Sequence, residues 1–584
     1  MCECATPVFR PTSESPAYSF DAPAMGVLQA RFDAGRLTSD GGLPWLAKAD
    51  RALGLCAALA ACIPDWRRGQ VRHALDTLLR PRVFQIACGD ADQDDADTLR
   101  DDPLLKLVCG RPPVSGAPLA SQPTFSRLEN AGDRRTVEAL AEALVTVYLH
   151  DRGRDGGPRR VRLDLDGTAD PAHGQQEGVA YHGYYRQHLY HPLLIFDADT
   201  GPLITAILRP GTVHGSRFVV LVLRRLLRRL RAAWPQVAVE LRADSGFATP
   251  RLYAWCEAQA VTYTLGLIPT APLEALAAPL LAEAQTQSAA QGGNKVRLVG
   301  ETPYQAGSWP HPRRVVFKAE ILVKGPNTRF VVTNRTEPPL AVYDAYVDRG
   351  EAENWIKDLK HAVQADRLSN HRFWANAFRR LLHAAAYTLL DYLPRHLAAV
   401  TGLRSQLDTL RLRVLKIAGW VREAWPPFGP RFCLHLSSYH PGEAWWRALA
   451  ARPAEQRAQP GEDLLDVERL RHVVVRAIVD AGHLVVPASA RGQDEDGHGE
   501  TAVAPAAQQR QPVDARQAKV EQDGVVGLRP HGEVGADAVR GGIDDVARIA
   551  QGADHLPGEG WLVFDNENPH RNMPVITHPP LNGG

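Results

Sequence analysis

Hydrophobic and polar positions change their period several times along the chain, and each change predicts a different element. Up to residue 158 apolar positions recur mostly at helical spacing. A short strand, Leu28 to Phe32, precedes Ser39-Asp-Gly-Gly and an amphipathic stretch, and Arg80 to Gly89 and Thr136 to His150 carry further helical patterns. From residue 159 the period shortens to two. Val161, Leu163 and Leu165 alternate with Arg162, Asp164 and Asp166, which predicts a half-buried strand ending in Gly-Thr. Tyr190 to Phe196 and Leu203 to Leu208 flank Asp197-Ala-Asp-Thr-Gly-Pro and predict a hairpin. A helix follows at Ser216 to Trp234, and then Val237, Val239, Leu241 and Ala243 alternate with Glu240, Arg242 and Asp244. Thr249-Pro250 supplies a cap and first turn for another helix, and Val261 to Leu267 predicts one more strand.

Three strands, helix, strand, helix, strand, and a later helix carrying Glu353 make the ribonuclease-H-like order: an antiparallel meander followed by parallel αβ units. That order sets the end of the first strand beside the end of the fourth. Residues 268–335 interrupt it with an Ala-rich helix, a Gln/Gly-rich loop and strands at Arg314 to Val323 and Arg329 to Asn334, a β-rich insertion. Helices resume through Tyr387 and at Arg411 to Trp420. The fold expected is mixed α/β: a ribonuclease-H-like core at 159–395, a mostly helical region at 1–158, and a helical C-terminal region at 396–455. Beyond 456 the pattern dissolves. No aromatic residue lies between Trp446 and Trp561, and Lys519 is the only lysine after Lys416. Such a segment buries too little apolar surface to offset its ordering entropy, so 456–584 is expected to be a disordered tail of frameshift or readthrough origin.

Composition bounds the remaining possibilities. A chain of 584 residues exceeds a single core, and 45% hydrophobic content supports a globular body. No run of eighteen apolar residues and no basic-then-apolar leader is present, which points to a cytoplasmic protein without membrane partners. The eight cysteines never form a CxxC pair, which argues against a zinc site or disulfide framework. Net charge is only +1, yet 58 of the 67 basic residues are arginine, the side chain that grips phosphate bidentately; a GC-rich genome would produce the same bias. The acidic stretch Asp90 to Pro103 reads as a solvated loop.

The stretch Tyr346 to Lys360 reads as one helix. At helical spacing Tyr346, Arg349, Glu353 and Lys360 fall within about 60° of one another. Ala352, Ile356, Leu359 and Val363 form a second, apolar stripe. Three carboxylates then stand at element ends: Asp166, Asp244 and Glu353. Hard oxygen ligands of this kind suit Mg²⁺ or Mn²⁺. Two such ions about 3.5–4 Å apart can activate an attacking oxygen and stabilise a leaving one.

Asp166-Gly-Thr, Ala243-Asp-Ser-Gly-Phe and Tyr346-(2)-Arg349-(3)-Glu353-(6)-Lys360 resemble the DDE triad and Y-R-E-K signature of bacterial insertion-sequence transposases. Finer matches resemble the group numbered thirteen-eighty: Phe32-Asp-Ala-Gly-Arg-Leu-Thr-Ser-Asp-Gly-Gly, Asp170-Pro-Ala-His-Gly-Gln-Gln-Glu, Gly183-Tyr-Tyr, and Arg349-Gly-Glu-Ala-Glu-Asn-Trp-Ile-Lys-Asp-Leu-Lys. The resemblance covers about residues 20–450, and it implies that the helical region at 1–158 binds the DNA ends. It implies an enzyme that binds terminal inverted repeats, cuts 3′ strands with metal-activated water and joins the 3′ ends to target DNA, working as a homodimer in the synaptic complex. It implies Asp166, Asp244 and Glu353 as catalytic metal ligands for two ions, and Tyr346, Arg349 and Lys360 as contacts to DNA phosphates. In the cell such a protein would be cytoplasmic and nucleoid-associated when bound to DNA. The alternatives are a defective or domesticated DNA-binding derivative and a ribonuclease-H-fold nuclease without strand transfer.

Several residues compete for these roles. Asp164 shares a strand face with Asp166; the Gly-Thr that follows Asp166 matches the family and selects it. Glu351 sits roughly 200° from Glu353 around the helix. His173, His182, His188 and His191 straddle a loop and strand without the spacing of a metal cluster. Arg224, Arg225, Arg228, Arg229 and Arg231 form the polar side of a leucine-rich helix, suited equally to DNA backbone and to solvent. Trp309 could stack on an unpaired base, though a structural role suits it better.

Overall fold

The structure, a computed structural model, describes residues 18–22, 26–30, 34–172, 174–402, 405–425 and 430–451. The expected tail beyond 456 lies outside the described residues, as does His173.

The elements that build the site follow one another along the middle of the chain. They are α1 (Arg134–Gly153), β1 (Arg160–Gly167), β2 (Leu193–Asp197), β3 (Leu203–Ile207), α2 (Val219–Ala233), β4 (Ala238–Ala243), α3 (Pro250–Ala258) and β5 (Thr262–Leu267). Then come α4 (Ala271–Ala290), β6 (Val296–Tyr304), β7 (Arg313–Leu322), β8 (Gly325–Thr333), α5 (Pro339–Val347), α6 (Gly350–His361) and α7 (Phe373–Thr401). Eight strands form one mixed sheet in the order β6-β7-β8-β5-β4-β1-β2-β3. β1 runs antiparallel to β2 and parallel to β4, and β4 runs parallel to β5. The adjacency of β1 and β4 is the one that the chain order predicted.

Alternation along β1 separates two cores. Val161, Leu163 and Leu165 pack with the leucines of α2 and with Leu252 and Tyr253 of α3. Asp164 and Asp166 point to the other face, where their antiparallel partners on β2 are Phe196 and Leu194. That face is covered by α6 and α7: Phe196 lies 5.3 Å from the ring of Trp355 and 6.5 Å from that of Tyr387. β1 is therefore buried on both sides at its C-terminal half, where a half-buried strand was expected. The acids tolerate this because one of them is fully paired.

Other expectations are corrected by single residues. The predicted strand Tyr190 to Phe196 is split, because Pro192 lacks an N–H for the ladder. Gln187–Tyr190 instead joins a small separate sheet with Asp170–Pro171 and Ala180–His182. The helix expected through Arg411 to Trp420 stops at Leu415, and Gly419–Ala424 is a strand paired with Arg431–Leu436 and Leu37–Thr38. The strand expected at Leu28 to Phe32 is Gly26–Ala30, paired with Tyr18–Ala22, and Phe32 lies outside the described residues. The region 268–335 contributes three strands, one more than predicted, and β8 pairs with β5, so it extends the central sheet. The helices between Leu43 and Gly153 share a core with α7, Ala362 and Leu415. No described helix is long and apolar enough to cross a membrane.

Candidate active site

Two rungs at the C-terminal ends of β1 and β4 define the site. In the parallel register Arg242 sits beside Asp164 and Ala243 beside Leu165, and the next residues of the two strands are Asp166 and Asp244. The lower rung is a closed ion pair. The Arg242 guanidinium donates to both oxygens of Asp164, at 2.7 and 2.6 Å, and both residues are buried. Arg242 also donates to the Ala345 carbonyl near the C-terminus of α5. Asp164 is therefore fully engaged by Arg242, whereas Asp166 sits one residue further along at the open end of the strand.

The upper rung holds Asp166 and Asp244. Asp166 is buried, and Asp244 follows directly after β4 with its carboxylate accepting from the Gly246 N–H at 2.9 Å. Burial pushes the Asp166 carboxyl up to about 6; the Arg349 guanidinium opposes that and the Asp244 charge adds to it. Arg349 donates to Asp166 Oδ2 at 2.9 Å. Its own pKa stays raised, chiefly because the neighbouring anion outweighs its burial, so it remains a cation. Tyr346 stands beside both: burial raises its phenol, and the Arg349 guanidinium and the two aspartates act on it in opposite senses. A Cβ on Gly266, the next-to-last residue of β5, would come within 2.6 Å of the Tyr346 hydroxyl and 3.1 Å of the Ser245 nitrogen. The glycine is thus what lets the phenol lie over the strand beside Asp244.

The single helix expected from Tyr346 to Lys360 is two helices. The chain tightens between α5 and α6, where the Arg349 N–H bonds to the Tyr346 carbonyl and the Ala352 N–H to the Arg349 carbonyl, both three residues apart. Gly350 lowers the helical preference at this point, and the Asp166 carboxylate engages the Arg349 side chain just before it. Of the predicted apolar stripe, Ala352 and Leu359 are buried on α6, Val363 is buried just beyond its end, and Ile356 is half-buried. Glu353 is exposed one turn beyond Arg349. Lys360 reaches back to the segment after β1, donating to the Ala169 carbonyl at 2.5 Å and lying 3.9 Å from Asp170. Asp170 itself is fully buried against Arg380.

The structure thus brings Asp166, Asp244, Tyr346 and Arg349 together, sets Lys360 at the exit of β1, and leaves Glu353 on the exposed start of α6. Among the described residues no group of three or more His, Cys, Asp or Glu side chains is arranged to hold a metal ion. The donor pair present nevertheless suits a divalent cation. The two carboxylates stand at adjacent strand ends, and burial, with the Asp244 charge added to it, makes Asp166 hard to ionise, a penalty that a hard cation relieves.

The remaining candidates resolve structurally. Trp309 is buried, edge-on to Tyr253 and Tyr304. Arg225 and Arg229 pair with Glu142 of α1, whereas Arg224 and Arg228 are exposed. His188 is exposed, and His191 is buried with Nδ1 3.1 Å from the Val213 carbonyl. The sequence reading missed Gly266 and the small sheet over Asp170 to Tyr190. A glycine inside an otherwise regular strand was the available signal for the first.

A family model described as "Transposase DDE domain group 1" matches residues 24–457. The chain belongs to this transposase family. The match spans every element of the site, from β1 through α7. Among solved structures the transposase is similar to a cryo-EM structure of the piggyBac transposase synaptic complex with hairpin DNA, at 10% identity and a TM-score of 0.33. That match covers 79% of this chain and 88% of the other, and it is too distant to bear on the site. No curated protein matches the sequence.

Proposed function

We propose that this DDE transposase cuts DNA at terminal inverted repeats and joins the freed 3′ ends to target DNA, using Mg²⁺ or Mn²⁺ held by Asp166, Asp244 and Glu353 in a ribonuclease-H-like core. The observation that carries the reading is the convergence of Asp166 and Asp244 at the ends of adjacent parallel strands, with Arg349 brought onto them from the α5–α6 junction. Glu353 follows Arg349 by one helical turn, about 6 Å along the axis and on nearly the same side of the helix. It is the acid of α6 nearest to that junction on that side. When bound, two divalent ions would supply an activated water and neutralise charge on the leaving oxygen.

The chain's own groups bind and orient. Arg349 offers a planar fork and Lys360 a point charge for phosphate oxygens, and both trade a protein oxygen for the DNA when it arrives. Tyr346, held protonated by burial, offers a neutral donor beside them. The Asp164–Arg242 pair fixes the register of the strands beneath the acids and ties α5 to it through the Ala345 carbonyl. Two ends brought together call for a homodimer on DNA, in the cytoplasm.

The test is nicking of a duplex carrying the inverted repeats that flank the gene. Mg²⁺-dependent cleavage is expected, and Asp166→Asn, Asp244→Asn or Glu353→Gln should each abolish it. Because Glu353 is exposed, its substitution should leave Tm unchanged. Full cleavage by Glu353→Gln would remove it from the triad, and binding without cleavage by the intact chain would favour the DNA-binding derivative.

A further inference from the structure

The face of the sheet that carries the acids does not end at β5. Ala243 pairs with Leu265, so Gly266 stands beside Asp244; Gly266 pairs in turn with Val331 of β8, and Val331 with Val316 of β7. Tyr346 shows which face this row presents. Its hydroxyl occupies the space that a Cβ on Gly266 would take, and its ring packs with Val316, Val331, Val342 and Tyr343. The neighbours Phe317 and Phe330 turn the other way, into the core that holds the leucines of α2. Side chains alternate, so the next row on the acids' face, toward the C-terminal end of β5, holds Arg329 on β8 directly opposite Lys318 on β7.

Contacts to α5 agree with this register. The Tyr343 ring lies 6.4 Å from that of Tyr346, and the Lys318 ammonium and the Arg297 guanidinium sit over it at 5.6 and 5.4 Å. A continuous line of side chains thus leads from Asp244 through Tyr346 and Tyr343 to cations on the β-insertion. Their charges are unevenly matched. Arg297 is engaged by Asp344, and Glu320 is shared among Lys318, Asn327 at 2.7 Å and Lys295 at 3.8 Å. No carboxylate is left for Arg329, which is exposed and whose guanidinium makes no hydrogen bond or ion pair with a described residue. Like charges directly opposite on antiparallel strands are destabilising. Lys318 and Arg329 therefore oppose one another until an anion lies across them.

We infer that Arg329 and Lys318 form a phosphate-binding track on the β-insertion, which holds the DNA backbone a few nucleotides from the phosphate that is cut at Asp166 and Asp244. The inference deepens the DNA-cleaving reading above and rests on it. Strand spacing and rise put the Arg329 Cα about 12 Å from that of Asp244 and the Lys318 Cα about 16 Å away. At a rise of about 3.4 Å per nucleotide this is roughly three to five nucleotides along the duplex. A polyanion is the partner because the two cations lie in line with the acids on one face, so that one strand can meet them in succession. Arg329, with its fork unengaged, offers the bidentate contact, and Lys318, drawn partly to Glu320, offers a point charge.

The test compares wild type, Arg329→Gln and Arg228→Gln in binding to the inverted-repeat duplex from about 50 to about 200 mM salt, in single-turnover nicking with Mg²⁺, and in Tm. Arg228 is the control: it is also exposed, but α2 packs on the opposite face of the sheet. Arg329→Gln should weaken binding about 3- to 10-fold and make the salt dependence of log Kd shallower by about 1. Its nicking rate at saturating DNA should stay within about twofold of wild type. Its Tm should not fall, because a like charge beside Lys318 is removed. Arg228→Gln should change neither affinity nor slope. Trimming the duplex to about two base pairs on one side of the cut should erase the difference between wild type and Arg329→Gln. Wild-type affinity and slope in Arg329→Gln, an equal loss in Arg228→Gln, or a difference that survives trimming on both sides overturns the inference and leaves the cleavage reading standing. So does weaker self-association of Arg329→Gln without DNA at unchanged DNA affinity, which would assign the arginine to a contact between two copies. A wild-type chain that binds without nicking overturns the cleavage reading, while one that neither binds nor nicks the duplex overturns both.

Discussion

The Asp166 carboxyl is held at about 6 against an ordinary 3.8, and this makes the site a measurable burden on the fold. A carboxyl harder to ionise when folded than when unfolded favours folding in its neutral form and opposes it in its charged form. Stability contributed by the protonated group is fully present below pH 4 and is lost as pH rises through about 6. With only 12% of the side chain exposed, solvent screens little of this, and the difference corresponds to roughly 3 kcal/mol above pH 7. Asp166→Asn replaces the carboxylate by a neutral isostere. In EDTA at pH 8 the variant should therefore be more stable than wild type by roughly 3 kcal/mol, or roughly 5 °C in Tm. The gap should close steadily toward pH 4 while cleavage is lost at every pH. Calorimetry of both proteins at half-unit steps from pH 4 to 8 measures it. An asparagine variant that is less stable at pH 8, or a gap that does not depend on pH, would refute the argument that burial and Asp244 outweigh the Arg349 ion pair.

Gly266→Ala should displace the Tyr346 hydroxyl, because the new methyl would lie 2.6 Å from it. The loss of cleavage should be several-fold and should not add to that of Tyr346→Phe, and a double-mutant cycle tests this. Away from the site, Glu129 is fully buried; burial alone would raise its carboxyl, but Arg379 and Arg82 outweigh it and hold the value at about 2. Its stabilising contribution is present above pH 4.5 and lost as pH falls toward 2. Glu129→Gln should cost roughly 3–5 kcal/mol at pH 7, as two buried guanidinium groups lose their anion, and much less in acid, which pH-dependent Tm values would show.

Strand identity, strand order and the positions of Asp166 and Asp244 were legible because period-two alternation and chain order determine which strand ends meet. The apolar stripe of α6 was legible for the same reason at helical period. What escaped was set by tertiary contact. The break at Arg349 depends on an ion pair with a residue far away in sequence. Asp164 looked exposed by alternation, yet its neutralising partner Arg242 comes from another strand. The packing of the small sheet at Asp170 to Tyr190 beside β1 depends on Gly167 admitting the His191 imidazole, and no periodicity announces that. Gly266 could be read as an interruption, but only the fold supplies the phenol that fills it.

The two rungs at the ends of β1 and β4 also close at different times during synthesis. Arg242 follows Asp164 by 78 residues, whereas Arg349 follows Asp166 by 183. At roughly 5–20 residues per second, the upper acids wait roughly ten seconds longer for their cation than the lower one does. In that interval the lower pair alone can set the register, since a slip of one residue would leave Asp164 buried without a counter-charge. Both partners of the lower pair are therefore present to align β1 and β4 about a hundred residues before the junction that supplies the cation of the upper rung has been made.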